Sequence, residues 1–290
     1  MTTYGYVQPA KMWIAFRDSN GYPMGALSTP DSPANGTVYG AYVLDNLVEF
    51  STDADTQPQV TFENGGTRKA SVYSAGATKG NVTVTLNTFD PVLYAYLTKT
   101  SVDSTTNTTH TITTDNPRQG ATPRFIIGFN MKTVNIVTGQ AVWETRIYPN
   151  VIFKQAGESG GADVTGDVRN PNNLTYIVTP SESTRSASGE LFANMNTGSF
   201  GGVAMVERWN GSYPLHLTTY VDDGSAGTFT LPYKPVLSTA TGTAGNNITT
   251  NGAQSTVDSV NTGTGVVTRT ATTATDKIVL LTGTEYVPTS

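Results

Sequence analysis

Apolar and polar residues alternate along much of the chain with the two-residue period of β-strands. In NVTVTL, at residues 81–86, Val82, Val84 and Leu86 lie on one face and threonines on the other, which predicts a half-buried strand. In RFIIGF, at residues 124–129, both faces are apolar, which predicts a strand covered on both sides. Similar short patterns, separated by Gly, Asn and Pro, recur from residue 37 onward. The predicted fold class is therefore all-β, a β-sandwich or barrel.

The segment MKTVNIVTGQAVWETRIYPNVIF predicts a β-hairpin that turns at residues 138–140. On the return strand, Trp143 and Ile147 lie on the same face, and core packing is their favoured role. Pro149 is expected to break this strand, because proline cannot donate a ladder hydrogen bond.

One segment, TFDPVLYAYLTK, predicts a short helix rather than a strand. Asp90 suits the N-cap and Pro91 the first helical position. Leu93 and Leu97 are four residues apart and share a face that we expect to pack in the core. The fold prediction thus includes one short helix flanking a sheet.

The first 36 residues combine aromatic residues with several Gly and Pro breakers, and we predict an N-terminal arm over residues 1–36. Four aromatic residues of this arm, Tyr4, Tyr6, Trp13 and Phe16, are the candidate assembly contacts, because such a segment can become ordered on a neighbouring subunit. The alternative is an N-terminal strand packed on its own domain, and the sequence favours neither.

Two β domains are predicted after the arm, with a boundary near Tyr213 where the composition changes. Residues 37–213 form the β-sandwich or barrel domain, and residues 214–290 form a second, small β domain. The second domain has strand patterns in GTFTL and KIVLL, and a hairpin that turns between them through residues 262–265. Long polar loops are expected at residues 101–122 and 157–172.

The composition argues against most kinds of catalytic, metal-binding and nucleic-acid-binding site. Of 290 residues, 13% are charged, 50 are Thr and none is Cys, so disulfides, thiol nucleophiles and sulfur-ligated zinc sites are excluded. The net charge of −5 provides no basic footprint for nucleic-acid binding. We therefore expect no catalytic site, no cofactor and no metal.

The histidines and two pairs of aspartates are the candidate catalytic groups. His110 is interpreted as a solvated loop residue and His216 as a sheet-surface residue, because neither lies near a nucleophile motif. The carboxylate pairs Asp53/Asp55 and Asp222/Asp223 are interpreted as solvated turn residues, with glycoside hydrolysis as a minor alternative.

Neither secretion nor membrane insertion is expected from the sequence. The N-terminus has no basic region followed by an apolar stretch, so no secretory signal is predicted. No apolar run approaches the roughly 20 residues that span a bilayer, and we expect no membrane partner.

Three segments lie between residues 81 and 183: NVTVTLNTFDPVLYAYLTK, AVWETRIYPNVIFKQAG and LTYIVTPSES. They carry a strand that leads into a T-x-D-P-x-L helix start and a later Tyr-Pro-Asn strand pair. Together they resemble the major tail tube proteins of long-tailed bacteriophages. The segments GTFTLPYKPVLSTATG, VDSVNTGTGVVTRTAT and KIVLLTGTEYVP are similar to a small β module appended to many phage virion proteins. The matching positions of this module are Leu231, Pro232, Pro235, Asp258, Gly265, Arg269 and Tyr286.

This resemblance implies a structural virion protein of the phage tail. Its β-sandwich would assemble into hexameric rings whose inner sheets join around a lumen, and the rings would stack into a conduit for DNA ejection. The implied partners are other copies of the chain, other tail proteins and genomic DNA that passes without specific binding. The implied location is the virion, and the host cytoplasm during assembly.

Low charge is compatible with that reading, because a lumen rich in Lys and Arg would release counterions and hold DNA. An alternative from a different class is a carbohydrate-binding decoration protein, or a fibre or adhesin protein of the virion.

Overall fold

The computed structural model describes a little over half of the chain's residues. The described residues are 4–6, 11–17, 23–24, 34–44, 47–53, 59–64, 67–73, 80–86, 124–159, 173–180, 183–184, 203–204, 207–236, 246–251, 253–254, 257–270 and 273–283. Within them all regular structure is strand, which confirms the all-β class.

The described residues form 22 strands. In chain order they are β1 Tyr4–Tyr6, β2 Lys11–Arg17, β3 Pro23–Met24, β4 Thr37–Gly40, β5 Tyr42–Leu44, β6 Leu47–Thr52, β7 Gln59–Asn64, β8 Thr67–Tyr73, β9 Val82–Leu86, β10 Phe125–Asn135, β11 Ala141–Ser159, β12 Asn173–Pro180, β13 Ser183–Thr184, β14 Val203–Ala204, β15 Glu207–Gly211, β16 Leu215–Val221, β17 Gly227–Thr230, β18 Asn246–Thr250, β19 Ala253–Gln254, β20 Ser259–Val260, β21 Val266–Arg269 and β22 Lys277–Gly283.

The largest sheet has ten strands and must curl into a barrel. Its main path runs β5-β2-β10-β11-β12-β9-β6, and every adjacent pair is antiparallel. In a flat sheet the end strands of this path would be about 29 Å apart. However, only residues 45–46 separate β5 from β6, so Leu44 and Leu47 are at most about 11 Å apart. The sheet therefore bends until its two ends meet.

A continuous apolar core fills this barrel. All seven strands of the path contribute buried side chains to it, including Met12, Leu44, Leu47, Val84 and Tyr176. Phe129 stacks on Phe50 and meets Tyr148 edge to face. Burial of this cluster is the main source of stability for the barrel.

Two further sheets are layered on the outside of the barrel. The five-stranded sheet, in the order β19-β18-β22-β16-β4, is apolar on both faces. On one face, Leu217 and Leu281 pack against Trp13 and Ile126 of the barrel wall. The other face packs against the three-stranded sheet β17-β21-β20. Two two-stranded sheets, β7-β8 and β13-β14, are separate from these.

One extended segment, residues 37–52, joins the barrel to the five-stranded sheet, and we call it the closing ribbon. Its first strand, β4, pairs with β16. Its second, β5, pairs with β2, and its third, β6, pairs with β9. The predicted boundary at residue 213 stays a prediction, but the segments on its two sides share a sheet and a core cluster.

Two strand predictions and both hairpin predictions agree with the structure. β9 buries Val82, Val84 and Leu86, and β10 is buried on both faces over residues 125–130. Hairpins form at both predicted turns, each with a glycine at positive φ, Gly139 at 70° and Gly265 at 75°.

The expected break at Pro149 is wrong. β11 continues through it, and the register shift opposite residues 125–127 marks a β-bulge there. A bulge leaves an unpaired position in the ladder, where the missing N–H of proline costs little. The predicted loop at residues 157–172 is also too long, because Gly157, Glu158 and Ser159 belong to β11. The predicted helix and the loop at residues 101–122 lie outside the described residues.

Candidate assembly interface

The β10–β11 hairpin extends beyond the part of it that belongs to the barrel wall. Next to its turn, β10 pairs with β1, and β11 pairs with β15. These four elements form what we call the distal sheet, in the order β1-β10-β11-β15. In the described residues, β1 has no other partner than β10, and β15 has none other than β11. The distal sheet thus has two lateral edges.

The hairpin turn is held by local hydrogen bonds around Asn135. The Asn135 side-chain oxygen accepts hydrogen bonds from the N–H of Val137 at 2.9 Å and of Thr138 at 3.2 Å. Across the turn, Asn135 N–H donates to Gln140 O at 2.9 Å, and Gly139 N–H donates to Asn135 O at 2.8 Å. Four bonds within six residues make the turn a preorganised projection.

Large apolar side chains are exposed on this projection. Ile136 is 65% exposed and Val137 is 79% exposed. We call residues 136–139 the tip. Sequence reasoning identified the turn but missed these two residues as a surface, although two large aliphatic residues in a turn are a signal that was available.

The structure separates the four predicted assembly residues into two groups. Tyr4 and Tyr6 belong to β1, where their backbones pair with Asn135 and Thr133 beside the tip. They therefore lie on a lateral edge, and their role in assembly stays a prediction.

Trp13 and Phe16 instead belong to a strand of the barrel wall. Trp13 is 0% exposed and packs between the barrel and the five-stranded sheet, while Phe16 is buried in the barrel core against Phe125. Residues 11–17 therefore do not belong to an arm. They form the N-terminal strand packed on its own domain that was the alternative prediction. Their pairing with β10 and β5 buries the apolar faces of β2, which an isolated arm would leave in water.

A buried polar network fixes the five-stranded sheet to the base of the distal sheet. Leu215 O accepts hydrogen bonds from Trp13 Nε1 at 3.0 Å and from Asn130 Nδ2 at 3.1 Å. Thr145 Oγ1 donates to Asn130 Oδ1 at 2.8 Å and accepts from Leu215 N–H at 3.3 Å. Because every member is buried and hydrogen bonded, the network specifies one orientation of the two sheets.

Of the carboxylates considered as catalytic groups, Asp55 lies outside the described residues, and Asp222 and Asp223 differ in burial. Asp222 is 0% exposed, so its interpretation as a solvated residue is wrong, whereas its neighbour Asp223 and the more distant Asp53 are exposed. Arg269 compensates the buried charge, with its Nε at 3.8 Å from Asp222 Oδ2 and its Nη2 at 3.9 Å from Asp276 Oδ2. Arg269 also donates to Thr250 Oγ1 at 3.1 Å. This ion-pair cluster links β21 and β18 to the end of β16 and the start of β22.

His216 is buried rather than on a sheet surface, because the three-stranded sheet covers that face of β16. Its ring lies 5.1 Å from the ring of Tyr233, whose hydroxyl is 2.7 Å from Thr218 Oγ1.

Burial raises the pKa of the Tyr233 phenol above 10.0, and hydrogen bonds with Thr218 and Thr282 offset only part of this effect. Burial, followed by the charges of Asp223 and Asp222, also raises the pKa of Tyr220. His110 lies outside the described residues.

The described part of the chain offers neither a metal-binding cluster nor a membrane-spanning helix. No three His, Asp or Glu side chains there are grouped closely enough to hold a metal ion. No helix there is long and apolar enough to cross a bilayer.

Comparison with known proteins adds no relative. No protein-family model matches the chain, and no curated protein matches it.

Proposed function

We propose that this chain is a structural virion protein, a tail tube subunit of a long-tailed bacteriophage. Its copies form hexameric rings, and stacked rings form the conduit through which DNA is ejected. Its partners are itself, other tail proteins and the passing genome, and it catalyses no reaction. The subunit is made in the host cytoplasm and ends in the phage tail.

The observation that carries this proposal is the distal sheet with its two lateral edges. Each edge presents backbone N–H and C=O groups, which pair readily with a strand of another chain. β1 forms one edge and β15 the other, so the β1 edge of one copy can pair with the β15 edge of the next. Such a contact is heterologous, and it closes into a ring when the rotation between copies is correct.

Charge also supports a conduit. The ten residues from Thr133 to Val142, which include the tip, contain no ionisable side chain. If these residues line the lumen of the proposed conduit, they offer phosphate groups no cations to bind there, although Lys132, Arg146 and Arg208 lie elsewhere in the distal sheet.

Negative-stain electron microscopy of the concentrated full-length protein tests the proposal. We expect rings with a central hole and six-fold symmetry, and tubes made of such rings. A monomer at every concentration, together with a location on the head in purified particles, would contradict it.

A carbohydrate-binding decoration or adhesin role is the second candidate, and one observation favours it. On the outer face of the three-stranded sheet, Thr228 and Ser259 are exposed on either side of Thr268, in register across three strands. Hydroxyl rows of this kind can hydrogen bond to sugars. Binding of a monomer to a glycan array, without rings, would favour this candidate.

A further inference from the structure

The five-stranded sheet supplies part of the barrel as well as covering it. Val221 of β16 is buried in the barrel core cluster, together with side chains of the wall strands. On the outer side of the wall, Leu217 and Leu281 pack against Trp13 and Ile126. Burial of apolar area is the main stabilising contribution to folding. Without this sheet, the barrel would have an incomplete core and a bare apolar wall.

The seam where the barrel closes is the shortest ladder on its main path. β5 pairs with β2 over the three residues Tyr42–Leu44, whereas β10 pairs with the same strand over Phe125–Asn130. In the part of the chain that the structure describes, β5 has no second strand partner. An isolated pair of short strands is only marginally stable in water. The seam therefore depends on contacts beyond its own ladder.

Those contacts come from β16. The N–H of Ala41, the one residue between β4 and β5, donates to Leu217 O at 3.0 Å, and the N–H of Gly36 donates to Val221 O at 2.8 Å. Between these two bonds, β4 pairs with β16 along its whole length. Val43 of β5 packs against the cluster that includes Leu217. The closing ribbon is thus held by β16 from its first residue to the middle of the seam.

Buried polar groups also depend on the contact between the five-stranded sheet and the wall. The carbonyl of Leu215, the first residue of β16, accepts hydrogen bonds from Trp13 Nε1 and Asn130 Nδ2. The N–H of Leu215 donates to Thr145 Oγ1. Lifting the sheet breaks these bonds together with the apolar contacts, so the lifted state is rare. How rare it is depends on the side chains at this face.

We infer that the five-stranded sheet is a latch that holds the barrel closed. When the sheet lifts from the wall as a unit, β4 and β5 lose their support, and the seam between β5 and β2 opens. The edge of β2 at Met12–Ile14 then becomes available to strands of other chains. The latch thus protects the barrel from uncontrolled strand pairing. This role goes beyond the proposed function, because it does not require that copies of the chain assemble.

Hydrogen exchange of the full-length Leu281→Ala variant tests the latch, with Leu280→Ala as the matched control. The two leucines are neighbours on β22 and are 1% and 0% exposed, but Leu281 faces the barrel wall and Leu280 faces the three-stranded sheet. Mass spectrometry reports amide exchange in the closing ribbon. We expect ribbon exchange to be faster by at least about thirtyfold in Leu281→Ala and by less than about threefold in Leu280→Ala. The control should instead speed exchange in β17 and β21.

Two outcomes would overturn the inference. One is ribbon exchange at the parent rate in Leu281→Ala, which would show that the seam holds without the sheet. The other is an equal acceleration of the ribbon by both variants, which would show that the ribbon opens only when the whole chain unfolds. If either alanine variant does not fold, Leu281→Val and Leu280→Val provide the same comparison with a smaller loss of packing, and the same difference between them is expected.

Discussion

Gly128 lies against the face of Trp13, so closely that a Cβ atom at position 128 would be 2.0 Å from Trp13 Cε2. The two residues are directly paired between β10 and β2. The indole occupies the space that any side chain at position 128 would need, and this lets Trp13 Nε1 reach Leu215 O.

Replacing Gly128 by Ala should therefore destabilise the protein. The indole would have to leave its position or the strands would have to separate, and overpacking of this kind costs about 1–3 kcal/mol or more. Urea denaturation followed by tryptophan fluorescence measures the loss. Gly227→Ala is the matched control, because its Cβ would meet only Ser225 O at 3.8 Å, and its unfolding free energy should hardly change. Equal effects of the two variants would contradict the packing argument.

Arg269→Met should be strongly destabilising, because it leaves the Asp222 carboxylate buried without a cation. Removing one member of a buried ion pair costs about 3–5 kcal/mol. Lys234→Met removes a cation from an exposed position and should be almost neutral. The double variant Arg269→Met/Asp222→Asn should recover part of the loss, which a double-mutant cycle in urea would measure. Additive effects would show that the two residues are not coupled.

Stability should decrease at alkaline pH because of Tyr233. The pKa of its phenol is raised in the folded protein, so the folded state keeps a proton that the unfolded state loses above about pH 10. The stabilisation is thus fully present below pH 10 and declines as pH rises beyond it. Comparing unfolding free energies at pH 8 and pH 11 for the parent and for Tyr233→Phe checks this. The parent should lose more stability than the variant, and parallel losses would argue against the effect.

Two N-terminal truncations should behave differently. Removal of residues 1–6 takes away β1 alone, so the barrel should fold while ring formation weakens. Removal of residues 1–16 also takes away nearly all of β2, including the fully buried Met12 and Trp13, and should prevent folding. Circular dichroism distinguishes the two cases, and electron microscopy reports on rings. If the chain without residues 1–16 still folded, these residues would be an arm rather than part of the barrel wall.

The sequence predicts where the strands of this protein lie better than it predicts which strands pair with each other. Periodicity alone identifies β9, β10 and the two hairpins, because each depends on local alternation or on a glycine turn. Periodicity does not reveal pairing between distant segments. The position of β2 in the barrel wall and the pairing of β4 with β16 depend on contacts across most of the chain.

Burial was mispredicted for the same reason. Asp222 follows a strand and precedes Asp223 and Gly224, a pattern typical of an exposed turn. The Asp222 carboxylate can be buried there because Arg269, on the distant strand β21, compensates its charge. The exposed pair at positions 136 and 137 was missed because the sequence pattern was used only to predict the turn that follows them.

The closing ribbon determines when a newly made chain can complete its fold. Its first strand leaves the ribosome early, but the partner strand β16 is synthesised much later. Likewise, Trp13 and its hydrogen-bond acceptor Leu215 are 202 residues apart in the sequence. Contacts so distant along the chain slow folding and cannot form on an incomplete polypeptide. Products of interrupted translation that lack β16 therefore cannot complete these layers, and only longer chains reach the folded state.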